Sequence, residues 1–419
     1  MTYIEFFDKT ASENICACLT NVPERVIFIG DNERLIQKHV ENYRRVFSDR
    51  GHDIDFLWET VEKNNLSKVL ALLRRIVLTY DDCVFDITGG TEILLFALGI
   101  VRAENPHRSI QIHRINLRNN RVYDFDEDGT TVFRETPVLS VEENVRIYGG
   151  DVVYDSEKEG RTYRWDMTEE FIEDIEKIWQ VCKGNVRLWN TQIGVFEAIE
   201  ANRQPEEDAR ITTARMSAVE SYLSRRKTSY KVIRGIVNYL LDKGLLLYYD
   251  DSDDRDITVV YKNAQVKRVL TRAGQALEMK IFAAVSTLRE PDGSLTYNDA
   301  LNGVVIDWDG KLHDKDKEGI FDTENEIDIL MMHDVVPVFV SCKNGIFTAD
   351  ELYKLNTVAY RFGNDYAKKV LIATSLSSIG EAGEYLRQRA ADMNIQLIEN
   401  VQNMDDAQLA KKLRNLWRN

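Results

Sequence analysis

Asn325–Gly345 reads NEIDILMMHDVVPVFVSCKNG. Apolar residues dominate Ile327–Met332 and Val335–Val340, with a polar break at His333-Asp334, so the stretch predicts a β-hairpin. Pro337 belongs at the start of the second strand or on its edge, because proline donates no ladder hydrogen bond. Side chains alternate along a strand, which puts Phe339, Ser341 and Lys343 on one face and Val338, Val340 and Cys342 on the other. On the first strand Glu326 and Asp328 fall together. Acids and a lysine at the ends of apolar strands are costly to bury unless they bind something. A solvated ion pair is one resolution; a divalent cation with a phosphate is the other, because together they satisfy both signs.

Working outward, Ala273–Ala284 predicts a helix with Glu278 on the side of Gly274 and Ile281, and a strand is expected near Gly303–Asp307. After the hairpin come a helix from Ala349-Asp350-Glu351, strands at Lys369–Thr374 and Ile395–Glu399, and a closing helix over Asp405–Trp417. The order of acid, hairpin turn, hydrophobic strand and lysine resembles the core of PD-(D/E)xK nucleases. That resemblance implies a metal-binding role for Asp328 and a water- or phosphate-orienting role for Lys343. The family's strand acid is replaced by Ser341, a poor metal ligand. Glu278 matches the place where the family's preceding helix supplies an acid. Glu351, eight residues past Lys343 on a helix expected to fold back over the strand ends, is the candidate for the missing carboxylate, and Glu326 is the next acid in reach. The implied cofactor is Mn²⁺ or Mg²⁺.

The amino-terminal part alternates short apolar runs with helical segments. Runs at residues 2–7 and 26–30, Ile54–Trp58, Cys83–Ile87 and Ile110–Ile115 are separated by helices, the pattern of a parallel, doubly wound, Rossmann-like sheet. Ligands of such sheets sit beyond the carboxyl ends of the strands. Two loops fall there: Asp8–Ser12 and Asp86-Ile87-Thr88-Gly89-Gly90-Thr91-Glu92. Paired glycines allow close backbone approach, and the following helix offers unpaired amides to an anion. DITGGTE resembles the D-[IV]-T-G-G-T motif of CARF domains, the CRISPR-associated Rossmann folds that bind cyclic oligoadenylates. The resemblance covers about the first 130 residues and implies ligand contacts from Thr88, Gly89, Gly90 and Thr91, with Ser12 and Asn14 contributing from the first loop.

Between these ends, Arg134–Tyr163 is acidic and irregular, reading as strands and connections. Helices are expected at Phe171–Cys182, Asn190–Ala201, Thr212–Arg225 and Tyr230–Lys243, then strands Leu245–Tyr249 and Ile257–Tyr261 around an acidic turn. This resembles a winged helix, though its presumed recognition helix carries only Lys231 and Arg234 as regular cations.

With 419 residues and a formal charge of −15, the chain exceeds one core and excludes broad electrostatic coating of nucleic acid, so any such contact is local. Arg225-Arg226-Lys227 and Lys368-Lys369 are the basic candidates. No run of about eighteen apolar residues and no secretory leader are present, and a cytoplasmic protein is expected. Five cysteines without paired zinc spacing indicate neither zinc nor disulfides. The expected architecture is α/β, with a Rossmann-like CARF domain over 1–133, a linker and winged-helix-like section over 134–268, and a restriction-endonuclease-like domain over 269–419. CARF-nuclease effectors of type III CRISPR immunity have both ends. That resemblance implies a homodimer, switched on by cyclic tetra- or hexa-adenylate, that cleaves single-stranded DNA or RNA or nicks duplex DNA. The alternative is a ligand-responsive transcription regulator whose nuclease-like domain is inactive.

Overall fold

The computed structural model describes residues 1–117, 121–125, 131–135, 137–253, 255–313, 315–375 and 381–418. The first sheet contains β1 (Thr2–Phe6), β2 (Arg25–Gly30), β3 (Asp55–Thr60), β4 (Asp82–Asp86), β5 (Ser109–Asn116), β6 (Arg121–Phe125) and β7 (Thr131–Glu135). Their spatial order is β3-β2-β1-β4-β5-β6-β7; the first five are parallel and the last two antiparallel. The order reverses between β1 and β4, so the loops after these strands meet at the switch point where open α/β sheets bind ligands. The parallel strands are apolar on both faces: Tyr3, Val26 and Phe28 pack on one side, Ile4, Phe6, Ile27 and Ile29 on the other.

The second sheet contains β8 (Asp151–Val152), β12 (Asp299–Asp307), β13 (Glu324–His333), β14 (Val336–Lys343), β15 (Lys368–Ala373) and β16 (Ile395–Ile398), in the order β16-β15-β14-β13-β12-β8. A small third sheet of β9 (Ile211–Arg215), β10 (Leu246–Asp250) and β11 (Asp256–Tyr261) lies among the middle helices in the order β10-β11-β9. One apolar core joins a face of the first sheet to a face of the second, running from Tyr3 and Phe28 through Val141 and Val145 to Leu330 and Phe339. Another joins the middle helices to the opposite face of the second sheet at Ile329, Val338 and Val340.

Several expectations are corrected. The stretch expected to be irregular holds a helix, Val141–Ile147, opened by a capping box between Ser140 and Glu143, and then the edge strand β8. The expected helix over Thr212–Arg225 is strand Ile211–Arg215 followed by a shorter helix, Met216–Arg225: β9 pairs with β11, and sheet pairing overrides the local propensity. Likewise Tyr230–Lys243 is helical only over Arg234–Asp242. Pro337 does sit at the start of β14, one pair before that strand begins its parallel ladder with β15, where a missing donor costs nothing. Among the described residues no helix is long and apolar enough to cross a membrane.

Candidate functional site

β13 and β14 pair from Ile329↔Val340 to His333↔Val336, then separate. On the other side of β13 the ladder with β12 skips the position where Asp328 would face Gly303, a glycine held at φ +60°. The distortion changes the alternation: Ile327 and Leu330, three apart, enter the same core. Asp328 stands in the resulting gap, and its carboxylate replaces the missing strand partner. Its Oδ2 accepts from the Cys342 amide at 2.6 Å and from Ser341 Oγ at 3.1 Å, and lies 3.6 Å from Lys343 Nζ. All of these contacts fall on Oδ2, and among the described residues Oδ1 makes no hydrogen bond. Ser341 therefore holds the acid in place.

Lys343 Nζ also pairs with Glu351 Oε2 at 2.9 Å, while Glu351 Oε1 takes Lys354 at 2.9 Å. The helix Ala349–Arg361 thus folds back over the strand ends with its first turn on the site. Burial works against the Lys343 charge, but Asp328 and Glu351 outweigh it and hold its pKa above the usual lysine value. The Glu351 carboxyl is pressed up by burial yet held below its ordinary value by Lys343 and Lys354. Glu326 is exposed and, with Asp328, Ser341, Lys343 and Glu351, lines a cavity of about 70 Å³. Glu278, on the helix Gln275–Ser286, approaches from the other core and accepts from Gln275 Nε2 at 3.1 Å. Burial first, and then the charges of Asp328 and Glu326, raise its pKa well above the carboxylate range. Sequence reasoning missed Gln275 and Asn302; Asn302 accepts from Gln275 Nε2 at 3.0 Å and donates to the Asp328 carbonyl at 2.9 Å.

Among the described residues no three acidic, His or Cys side chains converge on one point. Asp328 and Glu351 are instead bridged by the Lys343 ammonium. The donor set nonetheless suits a hard divalent cation, which takes oxygen ligands and can bind through one or two carboxylates plus waters and substrate phosphate. Asp328 keeps an unbonded oxygen, and the repulsion that raises Glu278 is what a cation would relieve.

At the first sheet the polar atoms of the two loops are engaged to different degrees. Ser12 and Asn14 are buried at 3% and 1%, and their polar atoms are used internally: Ser12 Oγ lies 3.3 Å from Tyr148 Oη, and Asn14 bonds both the amide and the carbonyl of Asp8 at 2.8 Å. The Thr88 hydroxyl accepts from the Ile115 amide at 2.6 Å. Gly89 is required by β1 itself, since a Cβ there would lie 2.3 Å from the Phe6 carbonyl oxygen, and Gly90 holds φ +105° against the Phe6 side chain. Thr91 differs, because its buried Oγ1 has no hydrogen-bond partner although it stands at the N-cap of the helix Glu92–Glu104. It borders an open cavity of about 900 Å³ whose other walls include Lys63, Asn64, Asn65 and Ser67. These residues follow β3, and their signal in the sequence is a polar run, EKNNLSK, at the carboxyl end of a parallel strand.

Behind the loop, Asp86 is fully buried with Oδ2 unbonded, and burial pushes its carboxyl up to about 7 against the hydrogen bonds from Thr88. An acid whose folded pKa is raised weakens the fold only once it ionises. Stability should therefore fall as the pH climbs from about 4, the unfolded value, to about 7, and level off above. Asp86→Asn keeps an oxygen for the Thr88 amide, so it should raise Tm at pH 8 and leave it nearly unchanged at pH 4. Scanning fluorimetry at both values checks this, and an equal shift at both would reject the titration.

Two of the basic candidates are engaged within the protein. Arg226 pairs with Glu197 at 2.6 Å, and Lys369 Nζ bonds Asn356 Oδ1 at 2.9 Å and the Met393 carbonyl. Arg234 is held by Asp251 at 2.7 Å.

No protein-family model matches the chain, and no curated protein is similar to it in sequence. Solved structures do match. Protein VC1899 from Vibrio cholerae superposes with a TM-score of 0.72 at 15% identity, over 100% of this chain and 98% of that one. Can2 from Sulfobacillus thermosulfidooxidans, in complex with cyclic tetra-adenylate, superposes with a TM-score of 0.64 at 14% identity, over 98% and 99% of the two chains. The α/β fold is therefore shared with these proteins from end to end.

Proposed function

We propose that this protein is a nuclease effector of type III CRISPR defence, switched on by a cyclic oligoadenylate, with cyclic tetra-adenylate the preferred activator because Can2, of the same fold, binds it. The observation that carries the reading is the convergence of Asp328, Lys343 and Glu351 where β13 and β14 part, on a fold that also sets the DITGGTE loop beside an open cavity. Asp328, with Glu278 and Glu351 flanking, would hold Mn²⁺ or Mg²⁺, which when bound polarises a phosphodiester and lowers the pKa of a water. Ser341 and the Cys342 amide fix the Asp328 carboxylate. Lys343 stays protonated between two acids and donates toward the scissile phosphate once Glu351 releases it. Gln275 and Asn302 orient Glu278 and the Asp328 backbone.

In the first domain, Lys63 and Ser67 and the amino end of the helix Glu92–Glu104 supply donors for a phosphate, with Thr91 Oγ1 beside them. We assign the chain to a homodimer: Leu78 and Phe96, on two helices that pack together, are 64% and 61% exposed and suit self-association across the ligand. The middle section, winged-helix-like in its strand-helix-helix-hairpin order, serves packing, because Arg234 is already paired. The regulator reading draws on Ser341 standing in place of the strand acid; the presence of Asp328 and Lys343 at the hairpin end and the poor cation content of the presumed recognition helix weigh against it.

The test is to incubate the protein with labelled single-stranded DNA, RNA and plasmid, with Mn²⁺ or Mg²⁺, with and without cyclic tetra- and hexa-adenylate. Cleavage that requires both metal and ligand is expected. Specific duplex binding with no cleavage under any condition would overturn the reading in favour of a regulator.

A further inference from the structure

A polar cavity of about 450 Å³ opens between the middle section and the segment that leads into the helix Gln275–Ser286, and four cations line it: Arg203, Lys267, Arg268 and Arg272. Acids are present too. Glu200 holds Lys267 at 3.1 Å and Arg203 at 2.8 Å, and Asp155 holds Arg268 at 3.2 Å. Glu159 stands exposed at the rim. Arg272 is exposed and makes no ion pair among the described residues, and the lining carries a local excess of one positive charge in a chain of net −15. The Arg268 side chain is only 16% exposed, lies with its guanidinium 4.3 Å from the Tyr163 ring centre, and keeps a buried Nε with no hydrogen-bond partner. Burial and the neighbouring Arg272 both press against its charge, a strain that an anion in the cavity would relieve.

Two short paths link the cavity wall to the acids of the candidate active site. Trp165, two residues from the wall residue Tyr163, donates to Asn302 Oδ1 at 3.0 Å, and Asn302 holds the Asp328 carbonyl. From the other side, Glu278 Oε1 folds back to within 3.1 Å of where a Gly274 Cβ would be. Gly274 is two residues from Arg272, at most about 7.6 Å along the chain.

We propose that this cavity binds the phosphodiester backbone of the nucleic-acid strand delivered to Asp328. The proposal rests on the nuclease reading above and adds to it a substrate-positioning surface: a chain too acidic to coat nucleic acid engages it through one local patch. Arg272 and Arg203 meet the phosphates, Arg268 anchors the cavity floor, and the strand leaves the patch toward Glu278 and Asp328.

The test uses the full chain with Arg272→Glu, Arg272→Lys and Arg203→Gln, and Lys38→Glu on the first domain as a remote charge control. Binding of a fluorescein-labelled single-stranded oligonucleotide, DNA and RNA in separate arms, is followed by anisotropy across a salt series in the cleavage-deficient Asp328→Ala background. Cleavage kinetics are followed in the otherwise unaltered protein. Arg272→Glu should weaken binding about tenfold, flatten the salt dependence by roughly one contact and raise KM while kcat holds, and Arg272→Lys should restore most of the loss. Arg203→Gln should act in the same direction. Unchanged binding in Arg272→Glu, or an equal loss in Lys38→Glu, would overturn the surface while leaving the nuclease standing. If the unaltered protein neither binds nor cleaves the oligonucleotides, the nuclease reading and the surface fall together.

Discussion

Asp328→Ala should abolish cleavage, by at least about 100-fold, because loss of groups that only orient a metal ligand already costs roughly 10–100-fold and Asp328 is the group oriented. Its Oδ2 gathers the Cys342 amide, the Ser341 hydroxyl and the Lys343 ammonium at 2.6, 3.1 and 3.6 Å. Removing the carboxylate orphans a backbone amide, which costs stability. It also removes the acid that most repels Glu278, which returns stability. The Tm should accordingly move little and cyclic tetra-adenylate affinity should hold, so that the lost rate reports chemistry. Glu351→Gln makes the informative contrast: Lys343 would lose its 2.9 Å partner and lean on Asp328, and the variant should retain part of the rate while requiring more Mn²⁺. Rates measured against metal concentration, with calorimetry for the activator, separate the two. Full activity in Asp328→Ala would sink the site assignment.

Gly89→Ala should damage the first domain as a fold before it damages recognition. A Cβ at this position would stand 2.3 Å from the Phe6 carbonyl oxygen and 3.2 Å from Asp8 Cβ, and neither is a flexible chain end that can move aside. Overpacking of this kind costs about 1–3 kcal/mol. The loop would be forced off the end of β1, carrying Thr91 and the amino end of the following helix with it. A fall in Tm together with loss of measurable activator binding is expected. Thr91→Val is the complementary substitution, because its hydroxyl has no partner in the protein. That variant should keep its Tm and lose roughly 0.5–1.5 kcal/mol of activator affinity. Unchanged Tm and affinity in Gly89→Ala would show that the loop tolerates a different path and does not form the ligand site.

Legibility of the fold followed how local each signal is. The alternation of apolar runs and helices over the first 115 residues predicts the parallel sheet, because in that architecture each strand is buried on both faces and must be apolar throughout. The hairpin and the faces of Phe339 and Val340 were equally readable. The helix Val141–Ile147 had a signal that went unused, the Ser140-Val-Glu-Glu143 capping box. β9 had none, since Ile211–Arg215 becomes a strand only because β11 is there to pair with it.

By itself the sequence determined which residue types could do chemistry at the end of the hairpin, and that a glycine pair had to follow β4. Only the tertiary structure decided how they are used. Strand periodicity describes an unbroken ladder, and the site exists where the ladder breaks: Gly303 at φ +60° and the parting of β13 from β14 turn Asp328 into the gap, and a helix eight residues further on brings Glu351 to Lys343. In the same way the spacing of Gly89 and Gly90 announces a close approach without saying to what. The nearest atoms belong to Phe6, on a strand more than eighty residues earlier, because steric need is set by whatever the fold places alongside.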